Sequence, residues 1–152
     1  MSSSRAPAAV DALVAAVTAG LPNSPVWDGP VPSGDYRDGV FIGYDGDPLG
    51  ERESLASTQD WAGIGAKKRT ETIDILCAVV AVDGDGVPKK ARDAAYALLA
   101  AVENVLRADP SLAQTPTPFI AAVTTPRLLW DWLETAGLQA RITFTVHIET
   151  RI

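Results

Sequence analysis

The chain has 152 residues, 47% of them hydrophobic and 21% charged, with 19 acidic residues against 13 Lys and Arg and a formal net charge of −6. That size and apolar content suit one compact domain, and the acidic balance argues against a general nucleic-acid binder, which needs Lys and Arg to displace counterions along phosphates. A single cysteine, Cys77, excludes an intrachain disulfide and any multi-cysteine zinc site.

The opening stretch MSSSRAPAAVDALVAAV carries Asp11 inside its apolar run, so it predicts neither a signal peptide nor a membrane span, and the chain reads as soluble. It predicts a helix over about 7–18 instead: Val10, Leu13, Val14 and Val17 share one face, Pro7 suits the first turn and Gly20 a C-terminal cap. Pro22, Pro25, Pro30 and Pro32 then leave room for only a short extended piece around Val26 and Trp27. VFIGYDG reads as a strand over 40–44 ending in an Asp-Gly turn. From 46 to 66 there is no clean periodicity. A stretch of that length inside a compact domain signals a functional loop, an assembly arm or an element with a hidden pattern, and it is read as a long loop within a single domain spanning 1–152.

Residues 67–82 carry Thr, Ile and Val at strand density and end in VDGDG. The first half alternates with charge and the second is apolar on both faces, so a long strand runs from an exposed end to a buried one. A helix follows over about 88–108, with Ala91, Ala95, Leu98, Val102 and Val105 along a stripe and Pro110 beyond its end. FIAAV and RLLWDWLET come next, read as two separate strands before the final one. The latter is ambiguous between a strand that aligns Leu128, Trp130 and Trp132 and a helix that groups Leu128, Leu129 and Trp132; the strand is preferred because Ala136-Gly137 then turns into the final strand. That last segment alternates: Ala140, Ile142, Phe144, Val146 and Ile148 on one face, Arg141, Thr143, Thr145, His147 and Glu149 on the other. Burying each large apolar residue on it is worth about 1.5–3 kcal/mol. The expected fold is α+β, a mainly antiparallel sheet with two principal helices packed on one face.

Chemistry-bearing patterns are few. GIGAKK suggests a phosphate loop, but Gly63, Gly65, Lys67 and Lys68 lack the spacing of that motif and a strand follows where a helix is needed. YDGDP and VDGDG suggest calcium, yet counting from Asp45 or Asp83 puts Leu49 or Val87 at the fifth position and Ala56 or Ala94 at the twelfth, where oxygen ligands belong. Asp-Gly turn chemistry explains both stretches. Cys77 sits in an apolar run and His147 on a polar strand face; a small enzyme or ligand-binding domain using that pair, or the acidic turns, stands as the alternative function. Trp130 and Trp132 could stack a sugar, but no cluster of polar ligand-binding groups accompanies them, so core or subunit interface is the preferred reading. No catalytic residue, cofactor or metal is predicted.

GIGAKKRTETIDILCAVVAVDGDG, KKARDAAYALLAAVENVLRADPSL and the closing ARITFTVHIETRI, which together cover most of the chain, resemble the tail terminator (tail-completion) proteins of long-tailed phages, particularly those infecting actinobacteria. The residues that carry the resemblance are the GYDG at 43–46, Gly63 and Gly65, Ile75 and Cys77, Gly84 and Asp85, Arg92, and Arg151-Ile152. The family often has a Gly after DPSL, where this chain has Leu112-Ala113-Gln114. The match is one of pattern and order, with no catalytic motif in it. It implies a structural virion protein: a hexameric ring of identical copies at the head-proximal end of the tail, assembled in the host cytoplasm. Such a ring caps the tail tube and joins it to a head-neck connector or stopper protein, with DNA passing through an acidic lumen and no sequence-specific nucleic-acid contact. A closed ring needs heterologous contacts between copies. The 46–66 loop and the charged strand start supply the expected interface residues Trp61, Lys67, Lys68, Arg69 and Glu71.

Overall fold

The computed structural model describes residues 3–30, 38–47, 53–61, 68–114, 118–133 and 136–152. In chain order these form α1 (Ala6–Gly20), β1 (Val26–Asp28), β2 (Gly39–Ile42), β3 (Leu55–Trp61), β4 (Arg69–Asp83), α2 (Pro88–Ala108), β5 (Ile120–Leu133) and β6 (Gly137–Arg151). The architecture is α+β, and only the β1–β2 pairing is parallel. No helix among the described residues is long and apolar enough to cross a membrane.

The sheet runs β1-β2-β4-β6-β5, and β3 shares the β2 side of β4. β4 is long enough to serve both neighbours: its first half pairs with β3, from Arg69↔Trp61 to Ile75↔Leu55, and its second with β2, from Cys77↔Ile42 to Val80↔Gly39. On its other side it pairs with β6 along nearly its whole length. The odd residues of β4 (Ile73, Ile75, Cys77, Val79) and the even residues of β6 (Ile142, Phe144, Val146, Ile148) face both helices in one fully buried cluster. α1 contributes Leu13 and Val17, and α2 contributes Ala95, Leu99 and Val102. Relative to the expected α2 stripe, Leu99 and Leu106 are buried while Leu98 and Val105 sit at its margin. Val105 packs against α1 at Gly20, where an added Cβ would lie 2.2 Å from its Cγ2. Gly20 therefore sets the closeness of the two helices.

The opposite face is not simply polar. Phe41, Ala78 and Val80 are buried there beneath Trp27, stacked on Phe41 at 4.6 Å, and Tyr44, edge-on to it at 5.2 Å. Arg141 and Thr143 of β6 are buried on this face too, and the turn after β2 folds over Arg141. Arg141 donates through Nη1 to the Asp45 carbonyl at 2.8 Å and through Nε to Asp131 at 3.3 Å.

Two sequence expectations need correction. The stretch 46–66 is not one long loop, since Leu55–Trp61 forms β3 on β4. Only Leu55 and Trp61 carry large apolar side chains, and the strand is mostly exposed, so no periodicity marked it. Ile120–Leu133, from FIAAV into RLLWDWL, are one strand, β5, continued through an irregularity between Thr124 and Arg127 that accommodates Pro126. The strand reading of RLLWDWLET holds through Leu133, and the last two residues lie outside the described ones.

Candidate assembly surface

The expected interface lies where β3 meets the start of β4. Trp61 and Arg69 are register partners on the helix-bearing face, and the Arg69 guanidinium sits 5.5 Å from the centroid of the Trp61 ring. Arg69 also donates to Gln59 Oε1 at 2.7 Å. Trp61 stays 65% exposed, an unusual position for so large an apolar side chain. Lys68 is exposed beside it, and Lys67 lies outside the described residues.

Glu71 corrects the picture of a charged, exposed strand start. Its odd position turns it under α1, where it is fully buried and receives three hydrogen bonds: Ser4 Oγ at 2.6 Å, the Arg5 backbone N–H at 2.7 Å and Gln59 Nε2 at 3.1 Å. Ser4 Oγ in turn accepts from the Ala6 N–H at 3.0 Å. A negative charge is thus held against the first N–H groups and positive end of α1. Burial alone would raise the Glu71 pKa, but the Ser4, Arg5 and Gln59 hydrogen bonds outweigh it and hold the carboxyl below its ordinary value. The Arg5 side chain extends the anchor, donating to Thr150 Oγ1 with its guanidinium 4.2 Å above the Phe119 ring. Glu71 therefore fastens the N-terminal helix to the sheet and presents no side chain to a neighbouring molecule. Its sequence neighbours gave no sign of this, because the partner residues lie 66 and 67 positions away.

The residues of the alternative function do not converge. Cys77 is fully buried on the helix-bearing face, opposite Phe144, and burial pushes its thiol up to about 12. His147, three positions from Phe144 on β6, points to the other face. There its Nδ1 lies 2.7 Å from Asp74 Oδ1 and its Nε2 3.5 Å from Glu149. The Asp74 hydrogen bond is the main cause of a raised His147 pKa, with burial opposing it. A sheet thus separates thiol from imidazole. The acidic turns serve local structure: Asp45 Oδ1 accepts from the Asp47 N–H at 3.0 Å, and Asp83 Oδ2 accepts from the Val87 N–H at 2.7 Å ahead of α2. Asp45 is buried, so its turn packs against the fold. Among the described residues no group of three or more His, Cys, Asp or Glu could hold a metal ion.

Sequence reasoning left Trp130 and Trp132 between core and interface. They lie on the helix-bearing face of β5 but beyond the reach of the helices, 41% and 73% exposed. The Trp132 ring reaches the turn before α2, where a Cβ on Gly86 would lie 3.2 Å from it. Together with Val87, which follows Gly86, they make a second exposed apolar patch, at the opposite edge of the sheet from Trp61.

No family model matches the chain and no curated protein matches its sequence. Among solved structures, the fold is similar to that of a chain in the "virion of native gene transfer agent (GTA) particle", with a TM-score of 0.60 and 18% identity over 99% of this chain and 100% of that one. The two chains share a fold from end to end.

Proposed function

We propose that the chain is a structural virion protein, the subunit of a terminator ring that caps a phage-type tail tube and joins it to the head-neck connector. The observation that carries this reading is the full-length likeness to a virion chain, with almost nothing unmatched on either side. The order of motifs across 43–46, 63–85 and 151–152 supports it from the sequence. Physically, the molecule has what a ring subunit needs: exposed tryptophans at two different places, Trp61 at one edge of the sheet and Trp130 with Trp132 at the other. Heterologous contacts require two such different surfaces. Trp61, Lys68 and Arg69 form the first of them.

Labelling the chain in intact particles tests the proposal. The label is expected at the head-proximal end of the tail, and particles lacking the chain are expected to accumulate as separate heads and tails. A label on the capsid shell or at the distal tip, or normal joining without the chain, would overturn the reading.

A further inference from the structure

The ring reading leaves open how one copy meets the next, and the sheet's free edges answer that question. On the β5 side, the Ala121 N–H points away from β6 and donates to the Pro110 carbonyl at 3.0 Å, so the turn after α2 covers the start of that edge. Ala121 is paired with Ile148, and antiparallel ladders alternate, so residues opposite the even positions of β6 turn their backbone groups outward. Beyond the irregularity at Pro126 these are Leu128, Trp130 and Trp132, opposite Ile142, Ala140 and Leu138. On the other side, β1 is three residues long and flanked by Pro25 and Pro30, which protect an edge. β3 has seven residues and no proline, and among the described residues it pairs with β4 alone. The Leu76 N–H donates to the Ser54 carbonyl, which fixes the alternation and leaves Leu55, Ser57, Gln59 and Trp61 with outward backbone groups. Among the described residues, each side of the sheet therefore has one open length.

The geometry points to a second copy of this chain as the occupant: the open edge of β5 (128–132) pairs with the open edge of β3 on the next copy, extending one sheet head to tail. The inference rests on the ring reading above. Strand direction supports it, since β3, β4, β6 and β5 alternate antiparallel. Four alternating strands give edges of opposite direction, so a following β3 continues the alternation. Side-chain direction supports it as well. Trp130 and Trp132 share the helix-bearing face with Leu55 and Trp61, so joining the edges buries exposed aromatic surface from both copies. Within one chain the two lengths lie at different heights: Ser57 is aligned through Ile73 with Ile148 and Trp130 with Ala140, so copies are staggered along the strands. Stagger of that kind tilts strands in closed β-structures.

The variants Trp130→Cys, Ser57→Cys and Gln59→Cys, each adding one cysteine, test the pairing under mild oxidation, alone and on purified tail tubes. The native thiol of Cys77 is fully buried and does not compete. Mixing Trp130→Cys with Ser57→Cys or Gln59→Cys is expected to give nearly all heterodimer, and Trp130→Cys combined with Ser57→Cys or Gln59→Cys in one chain a ladder of higher species. Absence of heterodimer where the wild-type chain assembles, or homodimer of Trp130→Cys at equal yield, would overturn the pairing. A labelled chain at the tail end without cross-links sinks this inference alone, whereas cross-links in a chain found elsewhere sink the terminator reading alone.

Discussion

Removing the Glu71 carboxylate is expected to loosen α1 from the sheet. Glu71→Ala leaves the Arg5 N–H and the Ser4 hydroxyl without their buried acceptor, a cost of about 2–3 kcal/mol. For a chain of this length that lowers the melting temperature by roughly 5–10 °C, as calorimetry would register; an unchanged melting point would refute the anchor. Titration gives the same side chain a second signature. Its folded pKa lies below the ordinary 4.5, so its contribution is complete above that value and is lost as pH falls through the lower folded pKa. His147 works in the opposite sense. Asp74 raises its pKa above 6.5, so its contribution is present below 6.5 and fades as pH rises through the raised value. His147 is partly exposed, and screening keeps its share under about 1 kcal/mol. Glu71→Gln should therefore flatten the acid limb of the stability profile and His147→Ala the neutral-to-alkaline limb, with midpoints from chemical denaturation as the readout. Head-tail joining is expected to survive both His147→Ala and Cys77→Ala.

Among the elements, the β5–β6 hairpin depends on its glycine. Gly137 has φ +110, and an added Cβ would lie 2.3 Å from the Asp83 carbonyl oxygen, which is backbone and cannot swing aside. Gly137→Ala is expected to destabilise by more than about 2 kcal/mol. Ala136→Gly, at the preceding residue, provides the comparison for circular dichroism melts. The legibility of each element tracks how local its determinants are. The bounds of α2 were readable because Pro88 starts it and Pro110 follows its end. The core face of β6 was readable because Ile142, Phe144, Val146 and Ile148 alternate without interruption. β3 was hidden: LASTQDW is mostly exposed and owes its conformation to register with β4. The aromatic cover on the far face was also hidden, because nothing local announces that Asp45 and Tyr44 fold back over Arg141 and Phe41. Of the expected interface, Trp61 and Lys68 are exposed and Arg69 half-buried, while Glu71 followed the fate of its neighbours in space.

For the molecule as a whole, fold class and helix placement followed from pattern, whereas the division of its surface required the three-dimensional arrangement. The two exposed tryptophan sites lie about 70 residues apart in sequence and at opposite edges of one sheet, and no reading of spacing connects them. Replacing Trp132 by Ser is expected to leave the melting temperature of the isolated chain nearly unchanged, since the ring is 73% exposed, yet to weaken association between copies, measured by sedimentation. A loss of stability equal to the loss of association would instead make Trp132 a folding residue.

β4 and β6 share register from Thr70↔Arg151 to Asp83↔Leu138 and carry a strand on each outer side for much of that length. In exchange with heavy water, amides at the middle of these strands can open only when the molecule unfolds as a unit, whereas the outward amides of β3 and late β5 exchange from the folded state. Assembly into a ring would then register as new protection at the two margins around an unchanged slow centre. The rate of the central amides would report the lifetime of the individual fold even inside a finished particle.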